Sequence, residues 1–232
     1  MNTRGRHWIA APRFTPVVGA LIGAVGGGVY WLSALLWPAS IAVIVSMLAT
    51  ALLAARADAD GGPGATFVAG DHSSANASAG AGAQSSGAPS RSEPLRFVFA
   101  VLVKYNALMA LSAANLPFAL PANLALGLIM VAGQASSRAL VVSVLVSPGR
   151  PAAAVPASHG DLALALALGF APAVLIGIPG LIGLAAAIIT RMAYIAYVRR
   201  RRPSVGAADL DATQQLTELC FYLGALASWA YI

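Results

Sequence analysis

The stretch at residues 162–202, "LALALALGFAPAVLIGIPGLIGLAAAIITRMAYIAYVRRRR", is apolar for far longer than one membrane crossing and then ends in four consecutive arginines. A helix needs about 20 apolar residues to cross a hydrocarbon core, so this run holds either one over-long helix or two. Its interior carries "IGIPGLIG", where Pro179 removes a backbone donor and Gly180 permits a turn. Splitting the run there yields a fifth span from residue 162 and a sixth that reaches about residue 198. Working outward, further spans are expected at residues 17–37, 41–55, 95–114, 122–146 and 211–231. The total is seven.

Charge placement supports the split. If the N-terminus with Arg4, Arg6 and Arg13 is cytoplasmic, then residues 56–94, 147–161 and 199–210 are cytoplasmic too, and every loop charge falls on that side. The opposite connections, "WPAS", "NLPFALP" and "IPG", carry no charged residue. Keeping 162–198 as one helix would put Arg199 to Arg202 outside. The expected architecture is therefore an all-α polytopic membrane bundle of seven helices, N-in and C-out, forming one membrane domain over residues 1–232. Residues 56–94, rich in Gly, Ala and Ser, read as a long, partly disordered cytoplasmic loop.

Composition agrees. The chain is 59% hydrophobic and only 9% charged, with a mean hydropathy of +0.77, whereas soluble domains carry roughly a quarter charged residues. The formal charge of +6 is read as loop topology in a lipid-bilayer protein, not as a nucleic-acid footprint. Cys220 is the single cysteine, so no intrachain disulfide can form. His7, His72 and His159 are scattered and receive no ligand role. The glycines of "GAVGGGVY" are assigned to close helix packing.

Charges inside spans carry the functional signal. Lys104, Arg138 and Arg191 lie within apolar segments, where an unpaired charge costs about 2.5–3.5 kcal/mol on insertion scales. Arg191 sits about two turns from the cytoplasmic end, where snorkelling is an equal alternative. Lys104 and Arg138 lie deeper, and for them a function in a cavity open to the cytoplasm is favoured over snorkelling. Asp58 and Asp60 end the second span, Asp209 and Asp211 begin the seventh, and Glu218 lies about two turns inside it. Converging carboxylates suit Mg²⁺, which bridges to substrate phosphates, and nearby Lys and Arg complement the same phosphates. The competing reading of Asp209 and Asp211 is capping of the last helix.

These residues also resemble a known family. "DLDATQQLTELCFYLGAL", residues 209–226, is similar to the end of cobalamin synthases, the adenosylcobinamide-GDP ribazoletransferases, through Leu210, Ala212, Thr213, Gln214, Gln215 and Glu218. Near the start, Phe14, Pro16, Val18, Gly19 and Gly23 fit the family's F-F-P-L-V-G-x-x-x-G segment. Asp60 and Gly61 fall on the D-G of its acidic motif, while Asp58 stands where the family has His. Lys104 and Ser137-Arg138 match polar residues of the following spans. Residues 206–208, "GAA", stand where the family has T-G-D.

The resemblance implies an inner-membrane transferase of cobalamin biosynthesis, facing the cytoplasm and using Mg²⁺. It would join adenosylcobinamide-GDP to α-ribazole or its 5'-phosphate with release of GMP. In that scheme Asp60, Lys104, Arg138 and Glu218 are catalytic, and Ser137, Gln214 and Gln215 contact substrate. Asp58, Asp60, Asp209, Asp211 and Glu218 supply metal ligands. A catalytically silent scaffold, and less readily a small transporter, are the alternatives.

Overall fold

The computed structural model describes residues 12–59, 92–114, 122–147, 158–202 and 205–229. Among these the chain is helical, with seven α-helices preceded by a short 3-10 turn, Pro12–Phe14. They are α1 (Thr15–Ala34), α2 (Ala39–Ala59), α3 (Ser92–Ala113), α4 (Ala122–Leu145), α5 (His159–Leu175), α6 (Ile178–Arg201) and α7 (Ala207–Trp229). Stretches Pro12–Ala34, Ala39–Arg56, Leu124–Leu145 and Ile178–Arg201 are long and apolar enough to cross a bilayer, and Val98–Ala113 and His159–Leu175 are shorter apolar helices. The protein is a helical membrane bundle.

The long run does divide in two, but at a different residue from the one expected. Gly177 takes φ 80°, a conformation open to glycine at no steric cost, and serves as the N-cap of α6. Pro179 follows in the first turn of α6, where its missing N–H has no intrahelical partner to lose. Gly180 has another task. A Cβ there would lie 2.0 Å from the Ala173 carbonyl oxygen, so its hydrogen lets α6 fold back closely against α5.

Helix α4 is the axle of the bundle. It packs against α1, α5, α7, α6 and α3, and it is by far the most enclosed of the four long apolar helices. Small residues allow the approach: Gly27 of α1 lies directly over Gly127 of α4, where a Cβ would meet the facing Cα at 2.6 Å. The packing role expected for the "GAVGGGVY" glycines is thus observed at Gly23, Gly26 and Gly27, whereas Gly28 faces open space.

Two apolar clusters fill the interior. The larger includes Leu126, Ile129, Met130 and Ala132 of α4 with Leu108 and Leu111 of α3 and Phe221 and Tyr222 of α7. The smaller joins Val141, Val144 and Leu145 of α4 to Ile195, Val198, Val205 and Leu210. Between them on α4 lie Gln134, Ser136, Ser137 and Arg138, all buried, and between them on α7 lie Thr213, Thr217 and Glu218, also buried. A polar layer therefore separates two apolar cores.

Side-chain contacts fix which helix ends lie together. Arg13 approaches Asp161 at 3.9 Å, joining the starts of α1 and α5. The Arg191 guanidinium donates to the Ser143 carbonyl oxygen at 3.0 Å and to Ser147 Oγ at 3.1 Å, joining the ends of α4 and α6. Tyr194 donates to Asp209 at 3.4 Å, adding the start of α7. Charged residues at the starts of α1, α5 and α7 and near the end of α6 so collect at one end of the bundle, with the end of α4 among them.

Candidate functional site

The polar layer is organised around one carboxylate oxygen. Lys104 Nζ of α3 approaches Glu218 Oε1 of α7 at 2.6 Å. Gln134 Nε2 of α4 donates to the same oxygen at 2.7 Å, and Tyr222 Oη of α7 donates at 2.9 Å. Three helices meet on a single atom.

Local sequence explains the convergence. Glu218 and Tyr222 are four residues apart, so they stack on one face of α7. The Tyr222 ring is fully buried against Gly133, where any Cβ would clash with it at 2.6 Å. Gly133 thereby seats the tyrosine, and its neighbour Gln134 faces the carboxylate. The Lys104 ammonium also lies 5.8 Å from the centre of the Tyr222 ring, close enough for a cation–π attraction. Lys104 is the most accessible member, with 21% of its side chain exposed against 8% for Glu218. The cluster has an outer end at the lysine and a closed inner end at the tyrosine.

Burial makes every one of these contacts matter. A carboxylate removed from water is tolerated when a counter-charge and hydrogen bonds replace its hydration. Glu218 has both. The hydroxyls nearby answer a different need: Ser136 donates to the Ala132 carbonyl, Ser137 to that of Gln134 at 3.1 Å and Thr217 to that of Thr213 at 2.7 Å. They satisfy themselves within their own helices.

Arg138 stands four residues beyond Gln134, so it lies on the same face of α4 one turn, about 6 Å, nearer the charged end of the bundle. It is 2% exposed. Its aliphatic stem packs on α1, where a Cβ at Gly19 would meet Cδ at 2.7 Å. The resulting order along α4 puts the neutralised pair deep and a second cation above it.

The other residues singled out from the sequence lie apart from this cluster. Asp209 closes the N-terminus of α7: one carboxylate oxygen accepts from the Gly206 backbone N–H at 2.8 Å and the other from Tyr194. Asp211 is exposed, Gln214 half-buried and Gln215 exposed. Along α7, Asp209 and Asp211 precede Glu218 by roughly 13 and 10 Å of helix rise. Asp60 and the side chain of Asp58 lie outside the described residues. Among the described residues no three His, Cys, Asp or Glu side chains are arranged to hold a metal. Arg191 lies apart from this cluster: its guanidinium reaches towards the end of α4.

Gln134 and Tyr222 were not anticipated. The signal was nonetheless present: an amide in the middle of an apolar span, and a hydroxyl one helical turn from a carboxylate that apolar residues follow.

Sequence comparisons bear on what this layer is for. A family model described as cobalamin-5-phosphate synthase matches residues 2–62. The chain is 31% identical over 235 residues to the adenosylcobinamide-GDP ribazoletransferase of Ralstonia nicotianae (strain ATCC BAA-1114 / GMI1000), covering 94% of this chain and 84% of that protein. The chain belongs to the cobalamin synthase family. No solved structure matches it.

Proposed function

We propose that this chain transfers the adenosylcobinamide phosphate moiety from adenosylcobinamide-GDP to α-ribazole or α-ribazole 5'-phosphate, releasing GMP, at a site opening to the cytoplasmic face of the inner membrane. Family membership supports the reaction, and one structural observation carries the assignment of its location: the Lys104–Glu218–Gln134–Tyr222 cluster with Arg138 one turn above it. A membrane helix keeps such groups only where they are paired or used.

In the proposed reaction a ribose hydroxyl oxygen that is free in both α-ribazole and its 5'-phosphate bonds to the cobinamide-linked phosphorus as the bond from that phosphorus to the GMP oxygen breaks, and the hydroxyl proton passes to solvent. GMP leaves with the bonding pair. Negative charge grows on the phosphoryl oxygens, and cations fixed in advance stabilise it without reorganising. Arg138 and Lys104 are the cations proposed for this. Glu218 holds Lys104 in place, with Gln134 and Tyr222 locking the carboxylate. Ser137, Gln214 and Gln215 are proposed to contact substrate nearer the charged end.

Mg²⁺ is part of the proposal as a requirement, not as a placed ion. The described acids do not fit one shared site: Glu218 Oε1 already faces an ammonium and two neutral donors, and Asp209 is spent on its helix cap. Any ligands from Asp58, Asp60 or Asp211 would act with the substrate's own diphosphate.

The test is direct. Purified full-length protein in lipid nanodiscs is given adenosylcobinamide-GDP and α-ribazole, with and without Mg²⁺, and GMP and the joined corrinoid are measured by chromatography. Stoichiometric release of both supports the reading. A folded protein that yields neither product under any divalent cation favours the silent scaffold.

A further inference from the structure

The face of α6 turned away from α4 and α7 carries a feature that the transfer reaction does not use. Residues that pack inward, such as Gly183, Leu184, Ala187, Ile195 and Val198, fall on one side of this helix. On the other side Leu181, Ile182, Ala185, Ile189, Met192 and Ala196 form an exposed stripe, with Ile189 at 66% and Met192 at 60% exposure. The stripe is apolar throughout. It then changes character within one turn, to Tyr197, Arg200 and Arg201.

Its length gives the change a depth. From Ile178, just after the Gly177 turn, to Tyr197 the helix rises about 28 Å, close to the roughly 30 Å of a bilayer's hydrocarbon core. Tyr197 consequently falls at the boundary where an amphipathic ring is favoured, and the arginines that follow fall among headgroups. The Arg201 guanidinium lies 4.5 Å from the centre of the Tyr197 ring, so an aromatic face holds the cation on the lipid-facing side. Arg200 and Arg202 are exposed beside it.

We propose that Tyr197, Arg200, Arg201 and Arg202 form a binding site for the phosphate of an anionic glycerophospholipid in the adjoining leaflet. A guanidinium presents a rigid fork of donors to phosphate oxygens, and the stack on Tyr197 preorganises that fork. The acyl chains of the same lipid lie along the Ile189–Met192 stripe. A soluble phosphate lacks that second contact, which is why the site selects a lipid. Because α6 packs closely against α7, a lipid bound here would also fix the depth of the helix bearing Glu218.

Full-length protein is reconstituted in vesicles of phosphatidylcholine with about a quarter phosphatidylglycerol, and the lipids retained after extraction are identified by native mass spectrometry. Each arginine near an anionic surface is worth roughly fivefold in local enrichment, so the wild-type protein should retain phosphatidylglycerol well above its bulk share. R200Q/R201Q should return to the bulk ratio, and Tyr197→Leu, with all four arginines kept, should fall between. Wild-type retention in an inserted R200Q/R201Q protein overturns the site. If that variant does not insert, wild-type retention in Tyr197→Leu overturns it instead. Displacement of the lipid by inorganic phosphate also overturns it, because the site would then read a soluble anion.

Discussion

Helix α7 carries carboxylates at two places, and the bundle treats them in opposite ways. Asp209, in its first turn, accepts from the Gly206 backbone N–H and from Tyr194 at the charged end of the bundle, doing what a short acid does near any helix start. Glu218, two to three turns further in, is 6% exposed and receives a lysine, an amide and a phenol from three helices. The first engages only groups near its own helix start and the neighbouring Tyr194. The second requires partners placed on α3, α4 and α7 together, so it specifies how those helices meet. Position along one helix decides whether an acid is a local cap or the hub of a tertiary network.

Breaking the deep site should cost most. Lys104→Met leaves the Glu218 charge with neutral donors only, and loss of one member of a buried pair typically costs about 3–5 kcal/mol, with the low end expected for a partly open lysine. Denaturant unfolding in bicelles should record that loss, and K104M/E218L should recover most of it. A double variant as unstable as the single one would show that the pair is not the relevant unit.

Removing one neutral donor is the next step down. Tyr222→Phe keeps the ring against Gly133 but deletes a hydrogen bond to a charged acceptor, worth roughly 1.5–3 kcal/mol. Gln134→Leu should resemble it. If either variant unfolds at the wild-type midpoint, Glu218 finds water or another donor, and the inner end of the cluster is not closed.

At the charged end the effects shrink. Asp209→Ala should cost about 1 kcal/mol, the usual worth of a helix cap, and should leave GMP release near wild type if capping is its main task. Activity loss without stability loss would move Asp209 from the cap to the substrate site. Smaller still is Asp161, which completes a capping box with Ser158 at the start of α5. Hydrogen bonds from the Ser158 hydroxyl and backbone N–H hold its carboxyl below the usual value of 3.8. A carboxyl lowered in the folded state contributes stability that is whole above 3.8 and fades as the pH falls through its folded value. Asp161→Asn should therefore flatten the acid limb of the unfolding curve and change little at neutral pH.

Much of this was legible from sequence because membranes impose simple rules. Long apolar runs, the uncharged "WPAS" turn and the arginines after residue 198 gave seven helices within a few residues of their observed limits. The break in the long run was legible too, but its residue was not: Pro179 drew attention, whereas a proline is at ease in a helix's first turn and the left-handed glycine one step before the helix makes the corner. In the polar layer, Lys104, Arg138 and Glu218 stood out as charges in apolar surroundings. Gln134 and Tyr222 did not, since neutral polar groups in a span are common and only the fold brings them to Glu218 Oε1. Arg191 shows the converse. Its charge stood out in the sequence, but its partners did not: it binds the carbonyl of Ser143 and the hydroxyl of Ser147, a contact no spacing rule could reveal across 44 to 48 residues.

The central claim is that the polar layer is the transfer site and not merely a structural knot, and Glu218→Gln tests it most directly. The substitution keeps the shape and an acceptor oxygen for Gln134 and Tyr222, but it removes the charge that holds Lys104. GMP release from adenosylcobinamide-GDP in nanodiscs should fall by about two to three orders of magnitude, the usual cost of disturbing a preorganised electrostatic group, in a protein that still inserts and remains monodisperse. Release at the wild-type rate by that folded variant would contradict the account.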